Sequence, residues 1–131
     1  MLDTEHARRP WHRGEAAAQR LAGVEPSPVI RPFMTEQLRQ FFPQLPLLFL
    51  AAVDADGFPS ATFVRGARGF ITCPEPRRVE IEATPFDGDP LAKFLRRESE
   101  VGLLGLDFRT RRRNRVGGCI ESHDSRQITI T

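Results

Sequence analysis

Five arginines crowd the segment from Arg109 to Arg115, interrupted only by Thr110 and Asn114 and with no acid among them. Guanidinium is planar, permanently charged and matched to the oxygens of carboxylates and phosphates. In an extended segment Arg109, Arg111, Arg113 and Arg115 share one face, about 6.6–6.8 Å apart. Such a row repels itself unless an anion or a set of carboxylates lies opposite. A phosphate ester meets that need through charge-assisted hydrogen bonds. A solvated edge strand, charged against edge-to-edge association, meets it equally well, and the residues alone leave both readings open. A β-module binding nucleic acid through Arg109–Arg115 is a third reading. Phe108 is the one aromatic beside the run, so the stacking platform of a single-strand binder is missing and nucleic acid is the weakest of the three.

Other chemistry is sparse. His6, His12 and His123 are isolated, with no HExxH or paired spacing, and no metal site is expected. No GxSxG, GxGxxG or Walker sequence occurs, and Ser60 and Ser122 belong to no motif that supplies a base, so nucleophilic catalysis is unsupported. Asp54 and Asp56 flank Ala55 ahead of Gly57 and read as turn residues. Cys73 and Cys119 lie far apart with no CxxC, which reads as two reduced thiols in a cytoplasmic protein. Redox or transfer chemistry on such a chain has to come from a bound organic cofactor.

The elements that would position these residues follow from composition and patterning. At 131 residues the chain fits one domain with its own core. No apolar run approaches the roughly 18 residues that span a bilayer, and residues 1–10 are too charged for a secretory signal. Net charge is +2, and without the arginine cluster the rest is mildly acidic. Gly14–Ala22 predicts a helix stopped by Gly23, and Thr35–Phe42 predicts another, capped by Thr35 and ended by Pro43. Leu47–Val53, the turn Asp54–Gly57 and Ser60–Val64 predict a β-hairpin. Gly69–Cys73, closed by Pro74 and Pro76, and the alternating Arg78–Glu82 predict two more strands. Asp89-Pro90-Leu91 predicts the start of a helix, and Val101–Phe108, Arg113–Ile120 and Arg126–Thr131 predict the remaining strands. Hairpins dominate and βαβ alternation is absent, so the fold class is mainly β with flanking helices, a small antiparallel barrel.

Three stretches carry a resemblance beyond this: Asp56-Gly57-Phe58-Pro59-Ser60-Ala61, Gly69-Phe70-Ile71-Thr72, and Arg112-Arg113-Asn114-Arg115-Val116-Gly117-Gly118. With His12-Arg13-Gly14-Glu15 and Asp89-Pro90-Leu91 in support, the chain from about Trp11 to Glu121 resembles the pyridoxamine 5′-phosphate oxidase-related, FMN-binding split-barrel family. The resemblance implies a six-stranded antiparallel Greek-key split barrel over residues 45–131, preceded by a flexible tail (1–10) and a helical segment (11–44). It implies FMN held at the interface of a homodimer, and a flavin-dependent oxidoreductase acting on an unidentified small molecule; a non-catalytic flavin barrel is the alternative. The implied cofactor-binding residues are Ser60, Thr62, Phe63 and Val64 from the strand after the Asp-Gly-x-Pro turn, with Arg111, Arg113 and Arg115 near the flavin or its phosphate. Ser60, Thr62 and Gly117 stand where the nearest branch often has tryptophan, serine and asparagine, and relatives extend beyond the position of Thr131, so a C-terminally shortened barrel is expected.

Overall fold

Short alternating runs separated by turn residues can bury one face only by pairing with their neighbours, and the chain does so throughout. A computed structural model describes residues 12–25 and 30–131. The expected tail over residues 1–10 lies outside the described residues, as do Trp11, Pro26 and Pro28. The chain divides into a unit ending at Pro32 and a unit from Phe33 to Thr131. In the first, α1 (Arg13–Leu21) is closed at its start by a capping box. His12 Nδ1 accepts the Gly14 N–H at 3.1 Å and Glu15 accepts the His12 N–H at 2.7 Å. Gly23 follows at φ +69°, the left-handed conformation that a helix C-terminus favours.

The second unit opens with α2 (Glu36–Phe41), where Thr35 Oγ1 accepts the Leu38 N–H, and the chain continues into a 3-10 turn at Phe42–Gln44. Seven strands follow among the described residues: β1 (Leu47–Val53), β2 (Pro59–Arg65), β3 (Ile71–Glu75), β4 (Arg78–Ile81), β5 (Glu100–Asp107), β6 (Arg112–His123) and β7 (Ile128–Ile130). They form one antiparallel sheet in the order β2-β1-β5-β6-β7-β4-β3. The mainly β class with flanking helices is therefore observed. The strand count differs from six, and the sheet is open, with β2 and β3 at its two edges. The cause is β6: its residues up to Cys119 pair with β5, and Ile120–His123 pair with β7.

Two local expectations are corrected. Asp89 does not start a regular helix; only a 3-10 turn at Ala92–Phe94 forms before the chain returns to the sheet. Glu98 donates its N–H to Ile120 O at 2.7 Å, and that pairing leaves no length for helical turns. Nor does Pro74 close β3, which runs through it to Glu75. An edge strand tolerates proline because its outward side has no ladder to lose. Arg39 of α2 covers this edge, donating from Nε to Cys73 O (3.0 Å) and from Nη2 to Pro74 O (2.7 Å).

The core follows from strand alternation. Leu48 and Leu50 of β1, Val64 of β2, Val101 and Leu103 of β5 and Ile120 of β6 are buried on one side of the sheet. Ile71, Val79, Ile81, Ile128 and Ile130 continue that layer across β3, β4 and β7. Each such side chain removed from water contributes about 1.5–3 kcal/mol. Phe41, Phe42 and Leu45 close one end directly over Gly105 of β5, where a Cβ would come within 2.6 Å of Leu45 Cδ1 and 2.9 Å of both phenyl rings. Gly102, one turn of the pleat away, faces open space on the opposite side. Gly105→Ala is therefore expected to destabilise the protein by about 1–3 kcal/mol through overpacking. Gly102→Ala should stay close to the wild type, and urea denaturation of the pair checks the contrast.

Candidate functional site

In a strand only alternate residues share a face, and this rule sorts the candidate residues into two groups. On β2, Thr62 and Val64 are buried in the core, with Ser60 half-buried on the same side, while Phe63 points outward and is 46% exposed. On β6, Arg113 and Arg115 are exposed on the outward side. The structure therefore brings Phe63, Arg113 and Arg115 to one face and sends the side chains of Ser60, Thr62 and Val64 to the other.

The expected row of four arginines is not formed. The extended segment begins only at Arg112. Arg109 and Arg111 lie in the β5–β6 turn, and Arg111 has φ +57°. The organiser is Asp107, whose carboxylate accepts the Thr110 hydroxyl at 2.7 Å and the Arg109 N–H at 3.0 Å. The Thr110 hydroxyl, then the Arg109 N–H, hold that carboxyl below its ordinary range. Arg112 turns to the core side, its guanidinium 4.9 Å from the centre of the Phe41 ring. Repulsion in the cluster is thus relieved by divergence: Arg109 lies beside Asp107, Arg111 takes a left-handed turn position, Arg112 lies near an aromatic ring, and two arginines are on the outward face.

That outward face is built by register. Phe63 of β2 stands opposite Phe49 of β1, Phe49 opposite Leu104 of β5, and Leu104 opposite Arg115 of β6. The next row across the same strands is Ala61, Ala51, Gly102 and Gly117. The Phe49 and Phe63 rings meet edge-to-face, with centroids 6.4 Å apart. A Cβ on Gly102 would meet nothing, and one on Gly117 only the Val101 carbonyl at 3.9 Å, so the second row is a low strip with open space above it. Val53, 56% exposed, extends the apolar surface along β1. Arg113 and Arg115 border this surface, and neither meets a carboxylate among the described residues. An apolar strip with a guanidinium rim can take a flat, anionic ligand or a second protein surface.

Phe49, Leu104 and the small-residue strip were not singled out from sequence. The signal was present: Leu47–Val53 is apolar on both faces, the pattern of a strand covered on both sides, yet the chain covers one. No sequence signal joined Thr62 to Asp89, 27 residues apart. Asp89 is buried, its Oδ2 accepting the Thr62 hydroxyl and its Oδ1 the Leu91 N–H at 2.8 Å. The pair fastens β2 to the segment that enters the 3-10 turn at Ala92.

No family model and no curated protein matches the chain. A solved structure does: a Lactobacillus delbrueckii protein provisionally assigned as a pyridoxamine 5′-phosphate oxidase, with a TM-score of 0.56 and 19% identity, covering 78% of this chain and 90% of that one. At this identity the likeness is one of fold. Among the described residues, no helix is long and apolar enough to cross a membrane.

Thr62→Val keeps the shape of the side chain and removes the donor to buried Asp89. It should cost about 1–3 kcal/mol in urea unfolding, because a desolvated carboxylate oxygen loses its partner. A second test concerns Cys73, whose thiol burial pushes from 9.0 up to about 11, with Arg39 partly opposing. Because the folded state favours the protonated thiol, this contribution to stability is full below pH 9 and is lost as pH rises through about 11. Native protein at pH 8 should leave Cys73 unalkylated by iodoacetamide, and unfolded protein should not; peptide mass spectrometry distinguishes the two.

Proposed function

We propose that this chain is an FMN-binding protein of the split-barrel oxidoreductase type, acting as a homodimer in which a second copy covers the outward face of β2-β1-β5-β6. One observation carries this reading: an apolar strip on that face is continuous with two guanidinium groups that meet no carboxylate among the described residues. The shared fold with a protein provisionally assigned as a pyridoxamine 5′-phosphate oxidase supports it. The residues fit the group. Arg113 and Arg115 supply bidentate donors for a phosphate, and the open strip over Ala51, Ala61, Gly102 and Gly117 leaves room for a planar ring beside Phe49 and Phe63.

In this reading Arg113 and Arg115 neutralise the cofactor's anionic end, and Phe63 excludes water from one side of the strip. Ser60, Thr62 and Val64 serve from the core side, holding β2 in register so that its outward residues stay in place. Arg111 stands in the β5–β6 turn, next in sequence to the start of β6. The flavin, when bound, would supply reversible electron transfer. Burial of the strip by a second copy also accounts for a face that would otherwise leave Phe63 and Val53 in water.

Titration of the purified protein with FMN, followed by flavin absorbance and fluorescence, should show saturable uptake, with light scattering reporting a dimer at micromolar concentration. Arg113→Ala should weaken FMN by about 1.5–3 kcal/mol, the worth of a charged hydrogen bond. Phe63→Asp should give a folded monomer by light scattering and circular dichroism. A wild-type monomer that takes up no FMN sinks the reading.

A further inference from the structure

The second half of β6 ends at a cleft that the sheet face does not use. Lys93, Arg96, Arg97, Ser122 and His123 line it, and its volume is about 640 Å³. Glu121, the acid on its wall, is held by Arg78 at 2.7 Å, and Arg78 is shared with Glu80 at 2.8 Å, so Glu121 is partly offset. Asp124, beside His123, accepts the N–H groups of Arg126 and Gln127. Neither Arg96 nor Arg97 meets a carboxylate among the described residues, and Lys93 sits 5.0 Å from the centre of the Phe94 ring. Among the described residues three cations therefore line the cleft against one carboxylate, Glu121, which Arg78 partly offsets, next to a hydroxyl and an imidazole.

The turn that carries Arg96 and Arg97 is fixed by its backbone. The Ser99 N–H donates to Arg96 O at 2.9 Å and closes a turn around Arg97 and Glu98. Glu98 has φ +70°, a conformation a side chain of this kind keeps only when its surroundings over-determine it. Here they do: the Glu98 N–H donates to Ile120 O (2.7 Å) and the Ile120 N–H to Ser99 O (2.9 Å), riveting the turn to β6. His123 Nδ1 lies 2.6 Å from Leu95 O, so it carries the hydrogen and Nε2 is the ring's remaining polar atom. Like charges held together on a fixed frame are unfavourable in the empty protein and favourable once an anion is present.

We propose that this cleft binds a phosphate monoester of a small organic molecule. A phosphate group presents three acceptor oxygens and close to two charges, enough to engage two guanidinium forks, an ammonium and a hydroxyl together, which a carboxylate with two oxygens and one charge does not. The cleft is roomier than a bare phosphate, leaving space for the esterified body. The site stands apart from the flavin reading, which concerns Arg113 and Arg115 on the other half of β6.

The test is amide nuclear magnetic resonance on the full ¹⁵N-labelled chain at constant ionic strength, titrated separately with phenyl phosphate, inorganic phosphate and acetate. Expected are saturable shifts at Lys93, Arg96, Arg97, Ser122 and His123, tighter with phenyl phosphate than with inorganic phosphate and absent with acetate. Arg96→Ala and Arg97→Ala should each weaken phenyl phosphate about tenfold, the effect of losing one charged hydrogen bond. Arg68→Ala, at an exposed position in another loop, should leave it unchanged. Shifts that fail to saturate, shifts centred on Arg113 and Arg115, or equal affinity for inorganic phosphate and phenyl phosphate each overturn the proposal. Because the wild-type map locates the site by itself, a variant that fails to fold does not remove the test.

Discussion

The sheet depends on one strand belonging to two neighbourhoods. β6 runs for twelve residues, pairing first with β5 and then with β7, with a shift of register between Ile120 and Ser122. At the crossover the chain passes very close to the end of β7. A Cβ on Gly118 would lie 2.7 Å from Ile130 Cγ2 and 2.8 Å from Thr131 O, while Cys119 and Thr131 exchange both backbone hydrogen bonds at 2.8 and 2.9 Å. Absence of a side chain at Gly118 is what lets the two halves of the sheet meet on a single strand. Without that close approach β7 could not reach β4, and the core layer of Ile71, Ile81, Ile128 and Ile130 would lose its middle members.

Elements whose signals are local were legible in the sequence. Thr35 caps α2, and the hairpin turn closes as Asp54 Oδ1 accepts the N–H groups of Asp56 and Phe58, with Gly57 at φ +84°. In these cases one short segment contains both the donor and the acceptor. Legibility failed where a distant group decided the outcome. Asp89 has the chemistry of a helix cap, but one of its oxygens serves Thr62 and the chain beyond is drawn to Ile120. The arginine cluster was visible as charge, yet its dispersal was not, because Arg111 at positive φ runs against the preference of its residue type. Only the tertiary position of Asp107 and Phe41 separates the arginines that point away from the two that share the outward face.

The candidate face itself was half legible. Arg113, Arg115 and Phe63 fall on one outward face, at opposite ends of four strands, while the alternation of β2 removes the side chains of Thr62 and Val64 to the core. A burial pattern cannot be read from a strand that is apolar on both sides until its neighbours are known, and β1 is such a strand. Its second apolar side is costly in water for an isolated chain, since the hydrophobic effect scales with exposed apolar area. That cost is tolerable if the face is normally covered, and the same covering would lower the dielectric around Arg113 and Arg115 and strengthen any charged bond they make.

Two groups of cations, Arg113 and Arg115 on β6 and Lys93, Arg96 and Arg97 beside its far end, raise the matter of whether they act on one another. From Arg115 to Ser122 the chain advances seven positions, about 22–24 Å at the usual rise of an extended strand. Screening in physiological salt has a length of about 8 Å, so an anion neutralising one group leaves the potential at the other nearly unchanged. Coupling through structure is a different matter. The turn that holds Arg96 and Arg97 is fixed to Ile120, and Gly118 and Cys119, two and one positions earlier, sit where β7 crosses. A shift in the β6–β7 register would move the cleft as a whole, whereas it would reach Arg113 and Arg115 only by disturbing the continuous ladder from Arg112 to Cys119 on β5. The continuous ladder on β5 therefore holds Arg113 and Arg115 in a register that the β6–β7 pairing does not set.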